Sequence, residues 1–167
     1  MQNQQSRMKN YKFYMQLTTK AGVATGSVKD LETDFPGLHY SKIEGLEAVG
    51  APKNIYTENY AEADGLRVYH PADNNGAIAH EATEVKLTLV FFDDKRRKAY
   101  NDFCRFLEGG RMFYWDNARN KKVWLIFDKE VEPDADTITP DGYISAAFAF
   151  TNIWGIGKEC NDNGVLL

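Results

Sequence analysis

The chain has 167 residues, a hydrophobic fraction of 43%, a charged fraction of 26% and a formal net charge of -4. That length suits one domain with its own core, since a chain of this size buries roughly 70% of its unfolded surface. Tight nucleic-acid binding needs clustered Lys and Arg, and the densest basic run, Lys95-Arg96-Arg97-Lys98, is short and follows Asp93-Asp94.

That run reads as a solvated helix face. The two cysteines, Cys104 and Cys160, lack the spacing of a disulfide framework or a zinc site, so a reducing compartment is expected. The sequence has no apolar run near the roughly 20 residues of a membrane span, and no membrane partner is expected. The opening stretch MQNQQSRMKN is polar and does not read as a secretory signal.

Residues 1–10 read as a disordered lead, 11–155 as a single domain and 156–167 as a flexible tail. The first strand is expected over Tyr11 to Leu17, where Tyr11, Phe13 and Met15 alternate with Lys12, Tyr14 and Gln16. A second is expected from Leu38 to Leu46, broken by Gly45. From Gly50 to Glu81 periodicity fails, and Gly, Pro, Asn and Asp accumulate, with turn signals at Ala63-Asp64-Gly65 and Asp73-Asn74-Asn75-Gly76. A long stretch of this kind inside a domain predicts a functional loop or a projecting β-hairpin, with Asn75-Gly76 a candidate tight turn.

Order returns at Glu84. Val85, Leu87, Leu89 and Phe91 alternate with polar neighbours, which predicts a half-buried strand. Asp93 or Asp94 is expected to cap a following helix, whose stripe of Ala99, Phe103, Phe106 and Leu107 must lie on a sheet. Gly109-Gly110 closes it. The strand RMFYWD then turns at residues 116–120 into KKVWLIFDKEV, which is apolar in both phases (Val123, Leu125 and Phe127 against Trp124 and Ile126) and so requires cover on both faces or a partner. After the acidic stretch EPDADTITPDG comes a final strand, Tyr143 to Trp154, with Ile144, Ala146, Phe148 and Phe150 on one face. The small residues of its other face predict close approach of another layer. The expected core is Leu87, Leu89, Phe91, Phe103, Phe106, Leu107, Trp124 and Phe148. The expected class is mainly β with one α-helix, an antiparallel sandwich or barrel with the helix packed on it.

Signals for chemistry are weak. His39, His70 and His80 match no metal-ligand spacing, although Asp73 lies between the last two. Glu44, Glu47, Asp64, Asp134, Asp136 and Asp141 sit in turn-prone or polar surroundings, with no pair marked for acid–base work. Cys104, between Phe103 and Phe106, reads as a small buried hydrophobe. No cofactor, metal or catalytic residue is expected. Tyr40, Tyr56, Tyr60 and Tyr69 flank the irregular stretch. Such aromatics stack on sugars or anchor a subunit interface, and the interface is favoured, with Tyr56, Tyr60, Leu66 and Tyr69 as its candidates.

The block GLEAVGAPKNIYTENYAEADGLRV, the strand EVKLTLVFF, the helix DDKRRKAYNDFCRFLEGG, the strands RMFYWD and KKVWLIFDKEV, and the ending GYISAAFAFTNIWG resemble, in order and spacing, the N-terminal domain of siphophage distal tail proteins. The resemblance covers roughly Tyr11 to Trp154. It implies a tail-tube-like domain in a phage or prophage virion, assembled in the cytoplasm of the bacterial host. It further implies a homo-oligomeric ring, usually hexameric, stacked with other tail proteins around a channel that DNA crosses as transient cargo. Many members carry a second, galectin-like domain, so the expectation is a short distal tail protein or a related tube or tail-completion protein. Acidic groups lining such a channel would repel passing DNA. The alternative is a carbohydrate-binding β-sandwich for host attachment.

Overall fold

The structure, a computed structural model, describes residues 12–59, 64–70, 73, 79–119 and 122–152. The expected lead (1–10) and tail (156–167), the ends of the first and last expected strands, Tyr60 and the Asn75-Gly76 turn lie outside them. Strands and helices follow the order β1 (Phe13–Leu17), β2 (Lys29–Asp30), α1 (Leu31–Asp34), β3 (Leu38–Glu44), β4 (Tyr56–Glu58), β5 (Arg67–Tyr69), β6 (Thr83–Phe91), α2 (Arg96–Leu107), β7 (Arg111–Asp116), β8 (Lys122–Ile126), β9 (Ala135–Asp136) and β10 (Ile144–Asn152).

All pairings are antiparallel, in the order β2-β1-β7-β8-β10-β6-β3, with β9 beside β10. The long hairpin-like ladder of β6 and β10 runs in register from Ile144 opposite Phe91 to Asn152 opposite Thr83. Among the described residues β8 meets β10 where Ile126 lies opposite Thr151, which joins the two halves of the sheet. The inner residues of both halves (Phe13, Met15, Met112, Tyr114, Val123 and Leu125 on one side, Val85, Leu87, Leu89, Phe91, Ile144, Ala146, Phe148 and Phe150 on the other) form one buried cluster. Period-two alternation in the sequence generates this directly, because every second side chain of each strand faces the same side. β3 carries a bulge between Tyr40 and Lys42, and its inner side chains Leu38, Tyr40 and Ile43 close the margin of the core.

Helix α2 plugs the open side of this sandwich. Ala99, Phe103 and Leu107 are buried at helical spacing. Phe103 meets Phe148 edge-on at 4.9 Å and Phe35 at 5.5 Å. Phe106, expected in the core, is half-buried at its rim, where it packs against Phe35 at 5.8 Å. The expected Asp cap is not formed: Asp93 sits at φ 71° and the helix begins after Lys95, which makes no side-chain cap bond. Gly110, at φ 79°, takes the left-handed turn past the helix end, where a side chain would be strained. A second helix, the single turn α1, was not expected. It seats Leu31 in the core.

One further expectation is corrected. Arg96 does not belong to a solvated face: it is 6% exposed, whereas Arg97 and Lys98 reach outward to Asp136 (3.0 Å) and Asp102 (2.7 Å). The Arg96 guanidinium donates to the backbone carbonyls of Asp93 (3.0 Å), Thr137 (3.1 Å), Thr139 (2.7 Å) and Pro140 (3.4 Å). It thereby ties the start of α2 to the acidic stretch before β10. Trp124 is buried as expected, in a second core cluster on the outer face of β8 beside Phe113 and Trp115. Its indole N–H donates to Thr18 Oγ1 at 2.8 Å, which satisfies the polar edge of a buried ring. This small outer cluster accounts for the apolar character of both phases of β8.

Candidate assembly surface

The described residues between Gly50 and His80 form a hairpin arm. Its root is closed by a bridge between Pro52 and His80, by Lys53 N–H to Ala79 O at 2.7 Å, and by Glu81 N–H to Ala51 O at 2.8 Å. His80 Nδ1 lies 2.8 Å from Gly50 O, and a Cβ on Gly50 would collide with the Glu81 carbonyl. Glycine is therefore required there by close backbone approach. Farther out, β4 and β5 pair with Tyr56 opposite Tyr69, Thr57 opposite Val68 and Glu58 opposite Arg67. Gly65, the last residue of the expected Ala63-Asp64-Gly65 signal, has φ 85°.

Register sorts the arm's side chains onto two faces. One carries Tyr56 and Tyr69, in contact at 5.7 Å, with Glu58 accepting from the Tyr69 hydroxyl at 3.5 Å and the Arg67 guanidinium 5.9 Å from the Tyr69 ring. The other carries Ile55, Thr57, Leu66 and Val68. Both are open: Tyr56 is 59%, Leu66 56% and Val68 50% exposed. Of the expected interface residues, Tyr56 and Tyr69 thus share a face, Leu66 lies on the opposite one, and Tyr60 is outside the described residues. Tyr40 is at the core margin and not on the arm.

A second apolar area lies at the far end of β6. Phe92, one residue beyond the strand, points to the outer side and meets His39 at 5.3 Å and Tyr143 at 6.2 Å. Phe92 and Tyr143 are 42% and 41% exposed. Exposed Ile138 is carried by the neighbouring stretch, where Thr137 N–H donates to Tyr143 O at 3.1 Å. Sequence reasoning gave no weight to this cluster. Its signal was the run Val90-Phe91-Phe92, in which two successive aromatics must face opposite sides of the sheet.

Between these ends, the outer face of β10 presents Ser145, Ala147, Ala149 and Thr151, all half-buried, beside Val90, Thr88, Lys86 and Glu84 of β6. The covering layer expected over the small residues is not found among the described residues, because both halves of the sheet pack on the inner side. Tyr14 and Trp115, stacked at 5.5 Å on the outer face of the other half, are flanked by Lys122 at 4.3 Å from the Trp115 ring.

Groups able to do chemistry do not converge among the described residues. Among the described residues, no three His, Cys, Asp or Glu side chains are grouped as for a metal. His70 and Asp73 bond each other, with His70 N–H donating to Asp73 Oδ2 at 3.1 Å and Asp73 N–H to His70 O at 2.9 Å. Glu44 pairs with Lys42 at 3.0 Å, which lowers its pKa. Asp134 donates its backbone N–H to Ser145 O at 2.7 Å, and Asp136 pairs with Arg97. Burial pushes the Cys104 thiol up, which disfavours the nucleophilic thiolate, and raises the neighbouring Tyr100 to about 12. Depressions of about 180 Å³ (Pro36, Lys95, Lys98, Ala99, Asp102) and 150 Å³ (Arg97, Tyr100, Asn101, Pro133, Asp136, Ile144) beside α2 fall below the usual size of ligand sites. No helix of the described residues is long and apolar enough to cross a membrane.

No family model matches the sequence, and no curated protein matches it. Among solved structures, the chain is similar in fold to the SPP1 Dit (gp 19.1) protein, described as a paradigm of the hub adsorption apparatus in phages that infect Gram-positive bacteria. The match has a TM-score of 0.51 and 14% identity, and covers 84% of this chain and 49% of that one. The chain thus spans about half the length of its structural neighbour. At that identity the likeness is one of fold.

Proposed function

We propose that this chain is a structural subunit of a phage or prophage tail, a distal-tail or tube-like protein that joins copies of itself into a ring around the DNA path and stacks on other tail proteins. The observation that carries the reading is the arm: a hairpin fastened at its root, whose two faces expose aliphatic and aromatic side chains that gain little in isolation. Patches of this kind on a soluble domain mark contact sites. The fold likeness to a phage hub protein and the order of elements in the sequence support the same assignment. Hexameric closure and a DNA cargo that passes without being held follow the family resemblance. Location in the virion, after assembly in the bacterial cytoplasm, belongs to the same reading.

The test is composition. Purified tails from a phage or induced prophage encoding this chain are expected to contain it in fixed stoichiometry with other tail proteins. Its absence from purified tails would contradict the proposal. A saccharide-binding role is less well supported, because Tyr40 packs at the core margin and the Tyr56 and Tyr69 rings contact each other at 5.7 Å.

A further inference from the structure

An open sheet edge exposes N–H and C=O groups on which a strand of another chain can build. Among the described residues the main sheet ends in β2 on one side and in β3 on the other. β2 has two residues and offers little to build on, whereas β3 has seven. Gly37 O accepts from Phe92 N–H at 2.9 Å, and antiparallel alternation then turns the N–H groups of Leu38 and Tyr40 away from β6, toward the open edge. Neither is left for an incoming strand. Leu38 N–H donates to Phe35 O at 3.0 Å, and Tyr40 N–H donates to Glu32 Oε1 at 3.3 Å. Both acceptors belong to α1 or to Phe35, the residue that ends it.

We propose that α1 is an edge cap and Glu32 its guard: the carboxylate holds the Tyr40 N–H and keeps β3 from accepting a strand of another chain. The turn is fixed in place from several sides. Leu31 and Phe35 are buried and flank exposed Glu32, with Phe35 against Phe103 and Phe106. Asp34 Oδ2 accepts from Asp30 N–H at 2.8 Å, and Asp30 pairs with Lys12 at 3.2 Å. A strand arriving at Tyr40 must take the N–H from Glu32 and strip water from the carboxylate, and a desolvated charge without a partner is costly. Beyond Tyr40 the bulge before Lys42 breaks the regular spacing of the edge, and the exposed Lys42–Glu44 pair follows at 3.0 Å. The cap acts on the sheet and not on the arm, so it serves the chain whatever assembly the arm enters. It also gives a role to a helix of only four residues.

The experiment uses the full chain with Glu32→Ala. Glu130→Ala, which removes an exposed carboxylate elsewhere, controls for the change in net charge. Each protein is agitated while light scattering and thioflavin T fluorescence follow strand-mediated association. Glu32→Ala is expected to associate about threefold faster or more than the unsubstituted chain, because the freed N–H is open to another strand. In the associated species its Tyr40 amide is expected to be protected from exchange, since a second chain then holds it. Glu130→Ala is expected to follow the unsubstituted chain. Equal rates for Glu32→Ala and Glu130→Ala would overturn the proposal. Faster association of Glu32→Ala with a freely exchanging Tyr40 amide would overturn it too, since that pattern marks partial unfolding and not pairing at the edge.

Discussion

Arg96 offers a sharp test of how the body holds the patch-bearing segment. Its guanidinium is buried at the start of α2, forms no ion pair among the described residues, and donates to four backbone carbonyls, three of them within Thr137 to Pro140. Arg96→Met keeps much of the aliphatic stem and removes the donors. Hydrogen bonds from a charged donor contribute roughly 1.5–3 kcal/mol each. The bonds to Thr139, Asp93 and Thr137 have good lengths and the one to Pro140 is long, so three count. Against them stand the desolvation of a buried cation, its Nε without a hydrogen-bond partner, and the helix start, whose positive end disfavours it. The net expectation is a loss of about 2–3 kcal/mol, or about 5–10 °C in Tm for a domain of this size. Urea unfolding followed by tryptophan fluorescence measures it. Arg96→Lys should lose more than half as much, because an ammonium cannot reproduce the planar fork. Amide exchange adds a local readout: the Thr137 and Gly142 N–H groups, bonded to Tyr143 O and Thr139 O, should lose protection first. Unchanged stability in Arg96→Met would refute the reasoning, since it would mean that desolvation cancels the bonds.

Phe103→Ala removes a fully buried ring from contacts with Phe35 and Phe148, and should destabilise by roughly 2–5 kcal/mol in the same denaturant assay. Gly50→Ala should disturb the arm's root against the Glu81 carbonyl, so that exchange at the Lys53 and Glu81 amides accelerates while the main unfolding transition moves little. Trp124→Phe removes the donor to Thr18 and should cost about 1 kcal/mol, seen as a lower urea midpoint. Tyr100, raised to about 12 chiefly by burial, contributes fully below the ordinary tyrosine value near 10. Above it the unfolded chain ionises first, so stability should fall from about pH 10 to about pH 12, and Tyr100→Phe should flatten that decline.

Much of the fold was legible because alternation is a geometric demand. Phe13 and Met15, Val85 to Phe91, and Ile144 to Phe150 had to share faces, and Ala99, Phe103 and Leu107 had to share a helical stripe. The short pieces were not legible: α1 has four residues and β2 and β9 two each, too few for any period to register. Arg96 was misread because its partners are backbone carbonyls some forty positions later, which leave no trace in side-chain pattern. Asp93 failed as a cap because the turn out of β6 gives it a left-handed backbone. Trp124 is buried as expected, and its phase places it in a second, smaller core cluster on the outer face of β8. For the surface, loss of periodicity marked the arm as an excursion, but register decided which of its side chains act together. The Phe92 patch needed the tertiary meeting of three separated segments.

The central claim is that copies of this chain complete one another's exposed surfaces. Sedimentation velocity of the full chain across a wide concentration range tests it most directly. The account predicts one discrete larger species that grows at the expense of monomer as concentration rises. A single monomeric boundary up to millimolar concentration would contradict it.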